Sequence, residues 1–167
     1  VTVESNEGVL IKSDEGIYNK ETNILEFKKN IQVNDSLNSI DFFANEIIYE
    51  KNKNIFKIIG KSRTNIKNKY TIDSDNLFYD RNKMEIYSED LIELQDILGN
   101  KISLNDSNFS INDEIASGKE IKIFDIKQNY YYLKKGIVNL KNNEFIGKDI
   151  KINFQKFLFG NSENDPR

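Results

Sequence analysis

An all-β chain of antiparallel strands, arranged as two packed sheets or a stacked roll, is what this sequence predicts. Three observations carry that. Apolar and polar residues alternate with period two in short segments, each bounded by Asn, Asp, Gly or Ser. A strand–turn–strand text recurs, with Tyr18, Tyr49 and Tyr79 set 31 and 30 residues apart. The single proline, Pro166, lies in the tail, outside every predicted strand, as a hydrogen-bonded sheet requires.

Taken in order, the chain opens with Val1 and Val3 on one face and Thr2 and Glu4 on the other, and Val9-Leu10-Ile11 is a short strand-like run. In the first copy of the repeat Ile17 and Tyr18 precede the turn, and Leu25 and Phe27 follow it. Ile31 and Val33 extend the alternation to a turn cluster at Asn34-Asp35-Ser36. Ile40, Phe42 and Ala44 lead into the second copy, Asn45 to Ser62, where Phe56 and Ile58 share one face. Ile66, Tyr70 and Ile72 lead into the third copy, where Met84, Ile86 and Ser88 alternate with Glu85, Tyr87 and Glu89. Ile92 and Leu94, a turn at Leu98-Gly99-Asn100-Lys101, and Ile102 and Leu104 reach a weaker fourth copy, in which Ser110 takes the tyrosine's place. Ile121 and Ile123, then Tyr130 and Tyr132, precede a degenerate fifth copy around Val138, Leu140 and Phe145. Ile150, Ile152 and Phe154 form the last strand. One wet face per strand implies antiparallel pairing.

Composition narrows the chemistry. With 167 residues the chain suits one domain with a real core. Net charge is -3 with both signs interspersed, which gives no nucleic-acid footprint. There is no Cys and no His, so disulfides, Cys/His zinc sites and Cys- or His-based catalysis are excluded. No apolar run approaches the ~18 residues of a helical membrane span. The chain begins with Val, which reads as a processed product or an excised domain. Ile, Asn and Lys dominate, as in an AT-rich genome, so single Lys or Asn residues carry little meaning.

Carboxylates are the only abundant catalytic type. Asp73 and Asp75, two apart on a strand, and Asp113-Glu114 are candidates for a calcium ion or acid–base work, against a solvated turn edge. Asn52, Asn82 and Asn112 recur at turn positions, where Asn tolerates left-handed backbone. Gly60 and Gly118 read as a bulge or a close strand approach. A parallel β-helix enzyme using Asp73, Asp75, Asp113 or Glu114 and an adhesin-type repeat are the competing classes; the Asn-rich hairpins fit antiparallel pairing better. The inward apolar set, with Leu25, Phe145 and Ile152 beside the residues named below, is either an ordinary core or the lining of an apolar groove between splayed sheets.

The unit Ala44 to Gly60, with Ile47, Tyr49, Asn54, Phe56 and the closing glycine, resembles the OstA-like periplasmic domain shared by LptA, LptC and the N-terminal part of LptD. Asn143 to Phe154 followed by Phe159 to Arg167 is similar to the stretch of LptD that precedes its outer-membrane barrel. The resemblance implies a V-shaped β-jellyroll of two antiparallel sheets with an open apolar groove over residues 1–160. Residues 161–167 would be a hinge to a barrel. It also implies lipopolysaccharide transport without catalysis, cofactor or metal, in the periplasm of a Gram-negative bacterium. Phe27, Phe42, Tyr49, Phe56, Ile58, Met84, Ile86, Ile121, Ile123 and Phe154 would line the groove and hold acyl chains, with Lys57, Lys122 or Lys151 at its rim. Val1, Val3 and Val9 would form an edge strand that an LptA-like bridge extends. The other implied partners are the chain's own C-terminal barrel and an LptE-like lipoprotein. A free LptA- or LptC-like carrier is the alternative within the family.

Overall fold

The structure, a computed structural model, describes residues 1–155. The hinge expected at 161–167 lies outside the described residues. Within them the alternation becomes fourteen antiparallel strands and no helix. These are β1 (Thr2–Glu4), β2 (Val9–Lys12), β3 (Glu15–Asn19), β4 (Ile24–Asp35), β5 (Ile40–Glu50), β6 (Ile55–Ile66), β7 (Tyr70–Asp80), β8 (Glu85–Ser88), β9 (Ile92–Asp96), β10 (Lys101–Ser110), β11 (Ile115–Phe124), β12 (Tyr130–Asn139), β13 (Glu144–Lys148) and β14 (Lys151–Asn153). Almost every strand pairs with its neighbour in sequence, so the sheet is a meander.

The long strands slip register near their middles. The breaks fall between Lys28 and Ile31, Phe43 and Glu46, Ile59 and Ser62, and Ser103 and Asn108. Lys29, Asn30, Gly60, Asp106 and Glu120 take left-handed backbone there. A β-bulge bends its strand and sharpens the twist. Aligned bulges therefore fold the one sheet along a line into two facing half-sheets, a β-jellyroll. β3, β8 and β13 belong to the first half and β1, β2, β9 and β14 to the second, while β4, β5, β6, β7, β10, β11 and β12 run through both. Small buried side chains, Ala44, Ser62, Ser74, Ser88 and Ser107, stand on the inner face beside the fold line, where the halves converge. Farther out the faces meet through rings. Phe42 of the second half lies 6.2 Å from Phe56 and 5.2 Å from Tyr79 of the first, and Tyr70 meets Phe109 edge-on at 5.6 Å.

The repeat is one down-and-up pass of this meander. Hairpin turns at the free margin of the first half end in left-handed Asn23, Asn54, Met84, Glu114 and Asn143. This conformation aims each carbonyl sideways, where it accepts the N–H that opens the next turn: the Lys51 N–H donates to the Asn23 carbonyl, Arg81 to Asn54, Ile111 to Met84 and Leu140 to Glu114, at 2.9–3.1 Å. Turns at the margin of the second half carry left-handed Gly8, Ser39, Asn68, Gly99 and Gln128. The repeating tyrosine serves the first margin: Tyr18 donates to Asn23 and Tyr49 to Asn54.

Several expectations change in detail. The left-handed turn residues are Asn23, Asn54 and Asn143, not Asn52, Asn82 and Asn112; Asn52 and Asn82 instead accept side-chain bonds from Asn23 and Asn54. β4 runs through Asn34 and Asp35, and the turn follows at 36–39. In the fourth copy Phe109, not Ser110, stands where the tyrosine would be, five residues before the left-handed Glu114. Tyr131 and Leu133 face inward at β12, not Tyr130 and Tyr132; Tyr131 meets Phe145 across the halves and Leu133 is fully buried. Gly60 is a bulge glycine with φ +76. At Gly118 a Cβ would sit 2.8 Å from the Asn105 carbonyl oxygen, the close approach expected there.

The ring cluster is the test of this packing. Phe56→Ala should lower the unfolding free energy by about 3–5 kcal/mol through transfer and cavity losses. Ile146→Ala, on an exposed side chain, should stay within about 0.5 kcal/mol of the parent. Urea titrations of both variants decide it; equal losses would place the core elsewhere.

Candidate functional site

Over most of its length the interior is filled. Phe27, Phe42, Phe56, Ile58, Ile86 and Ile121 are fully buried, Tyr49 and Ile123 nearly so, and half-buried Met84 packs against them. Tyr49 stacks on Phe56 at 4.2 Å. An apolar groove open from end to end is therefore not the arrangement here: the two faces meet and exclude water. Phe154 stands apart, partly exposed, with its ring edge-on to Tyr131 at 6.1 Å. Ile152 is exposed, because β14 lies beyond the covered part of the second half.

The faces separate at the C-terminal end, around a cavity of about 390 Å³. Ile102, Ile123 and Tyr131 supply its second-half wall, and Val138, Leu140 and Phe145 the first-half wall. The Phe145 ring meets Tyr131 at 5.3 Å across the gap. The rim is polar: Asp96, Asn100, Asp125, Lys127, Asn139 and Asn143. Its carboxylates are occupied by their own turns. Asp96 Oδ1 accepts the backbone N–H groups of Leu98, Gly99 and Asn100. Burial pushes the Asp125 carboxyl up, but bonds from the Asn129 side chain and the backbone N–H groups of Asn129 and Lys127 outweigh it and hold it below the usual carboxylate range. The Tyr131 hydroxyl also points to Asp125, at 3.3 Å, so its ring faces the cavity with the polar end tied to the rim. The cavity thus has apolar walls and a polar rim whose two carboxylates are held by their own turns.

Elsewhere the two margins are tied by charge. Arg81, in the first-half turn, reaches Asp35 at the end of β4: Nε to Oδ2 is 2.9 Å, and the Tyr79 hydroxyl donates to the same oxygen at 2.9 Å. Glu7 adds a second carboxylate to Arg81 at 2.9 Å. In the other place Lys69 and the Tyr70 hydroxyl, from the second half, converge on Glu114 Oε1 at 2.6 and 2.9 Å. Burial first, then the neighbouring carboxylate, pushes both tyrosines well above the usual phenol range. These residues were not singled out from sequence as a set. The signal in the sequence is a carboxylate, Glu114, at the position that Asn23, Asn54 and Asn143 take in three other copies.

The remaining candidates resolve locally. Asp73 is held bidentately by Arg63. Lys57 lies over Phe78 and Lys151 over Tyr132, on outer faces, and Lys122 is exposed outward; the lysine at the mouth is Lys127. A larger depression of about 800 Å³ lies against the second half, lined by charged and amide side chains such as Arg63, Asp73, Glu93, Gln95 and Lys101. Its lining is too polar for an apolar guest. Of the proposed edge residues, Val1 and Val3 stand at the terminal β1, but Val9 is buried in β2, which is paired on both sides by β1 and β4. The first-half edge at the same end is β3, which alternation does not mark as an edge; among the described residues it pairs with β4 alone and exposes Ile17 and Tyr18.

No protein-family model matches the chain, and no curated protein sequence matches it. Among solved structures it is similar to LptH, the LptA-homologous periplasmic component of the lipopolysaccharide transport device of Pseudomonas aeruginosa. The TM-score is 0.52 at 8% sequence identity, over 88% of this chain and 94% of that one. The likeness establishes the fold class: a β-jellyroll of the LptA type.

The Glu114 pair makes a pH test. The hydrogen bond from Lys69 is the main cause that holds the Glu114 carboxyl below its usual range; burial opposes it and Tyr70 assists. A carboxyl depressed in the folded state adds stability that is complete above the unfolded pKa and is lost as pH falls through the folded one. Glu114→Gln should thus lower the melting temperature at neutral pH. Since Lys69 is half exposed the pair contributes about 1 kcal/mol or less, or roughly 2–4 °C. The gap between parent and variant should close on acidification below the carboxylate range. A gap independent of pH would mean that the pair's charge contributes nothing.

Proposed function

We propose that this chain is a periplasmic lipid-carrying domain of the lipopolysaccharide-transport type, which receives lipopolysaccharide by its acyl chains from an LptA-like bridge and passes it to an outer-membrane barrel. The observation that supports it best is the C-terminal cavity: an apolar-walled cleft between the half-sheets, with its rim carboxylates, Asp96 and Asp125, held by their own turns. Burial of each methylene contributes about 0.8 kcal/mol, so shape and area alone hold an acyl chain. Phe145, Tyr131, Ile123 and Phe154 are the first contacts, and Phe42, Phe56, Ile58 and Ile86 line the path beyond. No reaction is part of this reading.

The LptD-like assignment, with its own barrel and an LptE-like lipoprotein as partners, draws on the tail from Asn143 to Arg167. A free LptA-like carrier is the second reading, favoured by the near-complete coverage of LptH. In either case neighbouring domains join at sheet edges, β1 with β3 at one end and β13 with β14 at the other, by strand addition.

A photo-crosslinking residue at position 131 or 145, in cells that transport lipopolysaccharide, should capture it, while one at the outward position 57 should not. Equal capture at both faces would end the reading. For the edge, bonds at Val1–Ser13 and Ser5–Val9 set the β1–β2 register so that Val3 faces β2 and the outward backbone donors are those of Thr2 and Glu4; Glu4→Pro removes one of these and constrains φ in β1. It should weaken binding to an LptA-like partner; undiminished binding would move the junction away from β1.

A further inference from the structure

We propose that Asp35–Arg81–Tyr79 and Lys69–Tyr70–Glu114 are two latches that hold the margins of the roll together over its middle, so that a lipid passes beyond the C-terminal cavity only when they part. The proposal rests on the lipid-carrying reading for its cargo, but the latches themselves rest on geometry. On the folded side the half-sheets share unbroken strands, which no small motion can separate. On the open side, among the described residues, they are joined by side chains that reach across, with Arg81 also donating to the Glu7 carbonyl at 2.6 Å. Each latch takes its cation and its carboxylate from opposite halves: Arg81 from the first and Asp35 from the second, then Lys69 from the second and Glu114 from the first. The tyrosine hydroxyls cross with them, Tyr79 in one direction and Tyr70 in the other.

The repeat shows that these bonds are departures from a local pattern. In the first two copies the tyrosine hydroxyl stays within its own half, on the left-handed Asn of the following turn. In the third copy that residue is Met84, a poor acceptor, and the hydroxyl goes across to Asp35. In the fourth, Phe109 has no hydroxyl, and the left-handed residue is a carboxylate that itself reaches across. The latches thus lie where the pattern lapses. They are also chemically separable. Asp35 is fully buried and Arg81 nearly so, yet apolar residues of the same size would hold such a seam at least as firmly. Ions, unlike a packed apolar seam, can trade partners with water or with lipid phosphate as the margins separate. Lys69 is already half exposed. At the C-terminal end, among the described residues, no hydrogen bond or ion pair joins the turn at 125–128 to the turn at 140–143, and there the cavity stands open.

The chain has no cysteine, so single cysteines report opening cleanly. Ile40→Cys, beside the Asp35 latch, and Ile111→Cys, beside Glu114, replace buried side chains; Ile146→Cys is an exposed control. Each is combined in the full chain with Asp35→Asn/Arg81→Gln or with Lys69→Met/Glu114→Gln, changes that leave no unpaired charge in the Asp35–Arg81 or Lys69–Glu114 pair. Maleimide labelling at position 40 or 111 should accelerate by about tenfold or more when the adjacent latch is removed, with little dependence on urea, the mark of a local opening. Labelling that is unchanged, or that follows global unfolding with its full urea dependence, would overturn the latches and leave them as fixed packing. Purified lipopolysaccharide micelles supply the second readout. They should protect Ile123→Cys in the parent and extend protection to Ile40→Cys only in the latch variants. Protection at position 40 in the parent would overturn the gating. Absence of protection at position 123 would instead defeat the lipid-carrying reading while leaving the opening kinetics to judge the latches.

Discussion

The structure depends on strands that pass from one half-sheet into the other without a break in the chain. Backbone hydrogen bonds continue on both sides of each bulge, so the sheet bends there and does not part. This constraint decides where everything else can be. Residues beside the bend must be small, because the faces converge, and Ala44 with the row of serines meets that need. Large rings belong farther out, where the gap is wide enough for Phe42, Phe56 and Tyr79. What regulates the width of the gap acts at the margins, where no continuous strand joins the halves.

The margins are themselves built from the repeat. Each turn ends on a left-handed residue whose carbonyl binds the next turn, so one conformational requirement, met every thirty residues or so, lays down a continuous rail. Asn suits that position and can also accept a tyrosine hydroxyl; Met84 and Glu114 meet the backbone requirement but lack the amide. The same substitution that breaks the local pair therefore releases a polar group toward the opposite margin. Conformation is conserved along the rail while its chemistry varies, and the variation sits at the latches.

How far the sequence could be read follows from which constraints are local. Period-two burial is local, so the strands and most of the inward residues, from Phe27 to Ile123, were legible, as was the glycine bulge at Gly60. The parity of β12 was not. Tyr130, Tyr131 and Tyr132 present three like side chains in a row, and only the partner strands choose which one faces inward. Val9 looked like part of an edge because strand order is not encoded in alternation; β1 covers it. Phe109 was passed over for Ser110 because the repeat was aligned on its tyrosines and not on the left-handed turn residue, whose conformation a sequence does not display. Whether the apolar interior is open or filled was the least legible feature. It depends on pairs such as Tyr79 with Asp35 and Lys69 with Glu114, which are 44 and 45 residues apart and meet only after the sheet has folded on itself.

The meander has a consequence for how the chain acquires its structure. Nearly every ladder joins strands that are adjacent in sequence, which keeps contact order low for an all-β protein and lets pairing spread hairpin by hairpin. Such a chain can assemble progressively from its N-terminus, without waiting for its last strand. The contacts that cannot form early are those across the seam, with Arg81 to Glu7 spanning 74 residues. Interactions made after the rate-limiting step govern the speed of unfolding more than that of folding. In a denaturant chevron, loss of these contacts would steepen nothing in the refolding arm and would raise the unfolding arm, so the residues that close the roll are also those that set how long it stays folded.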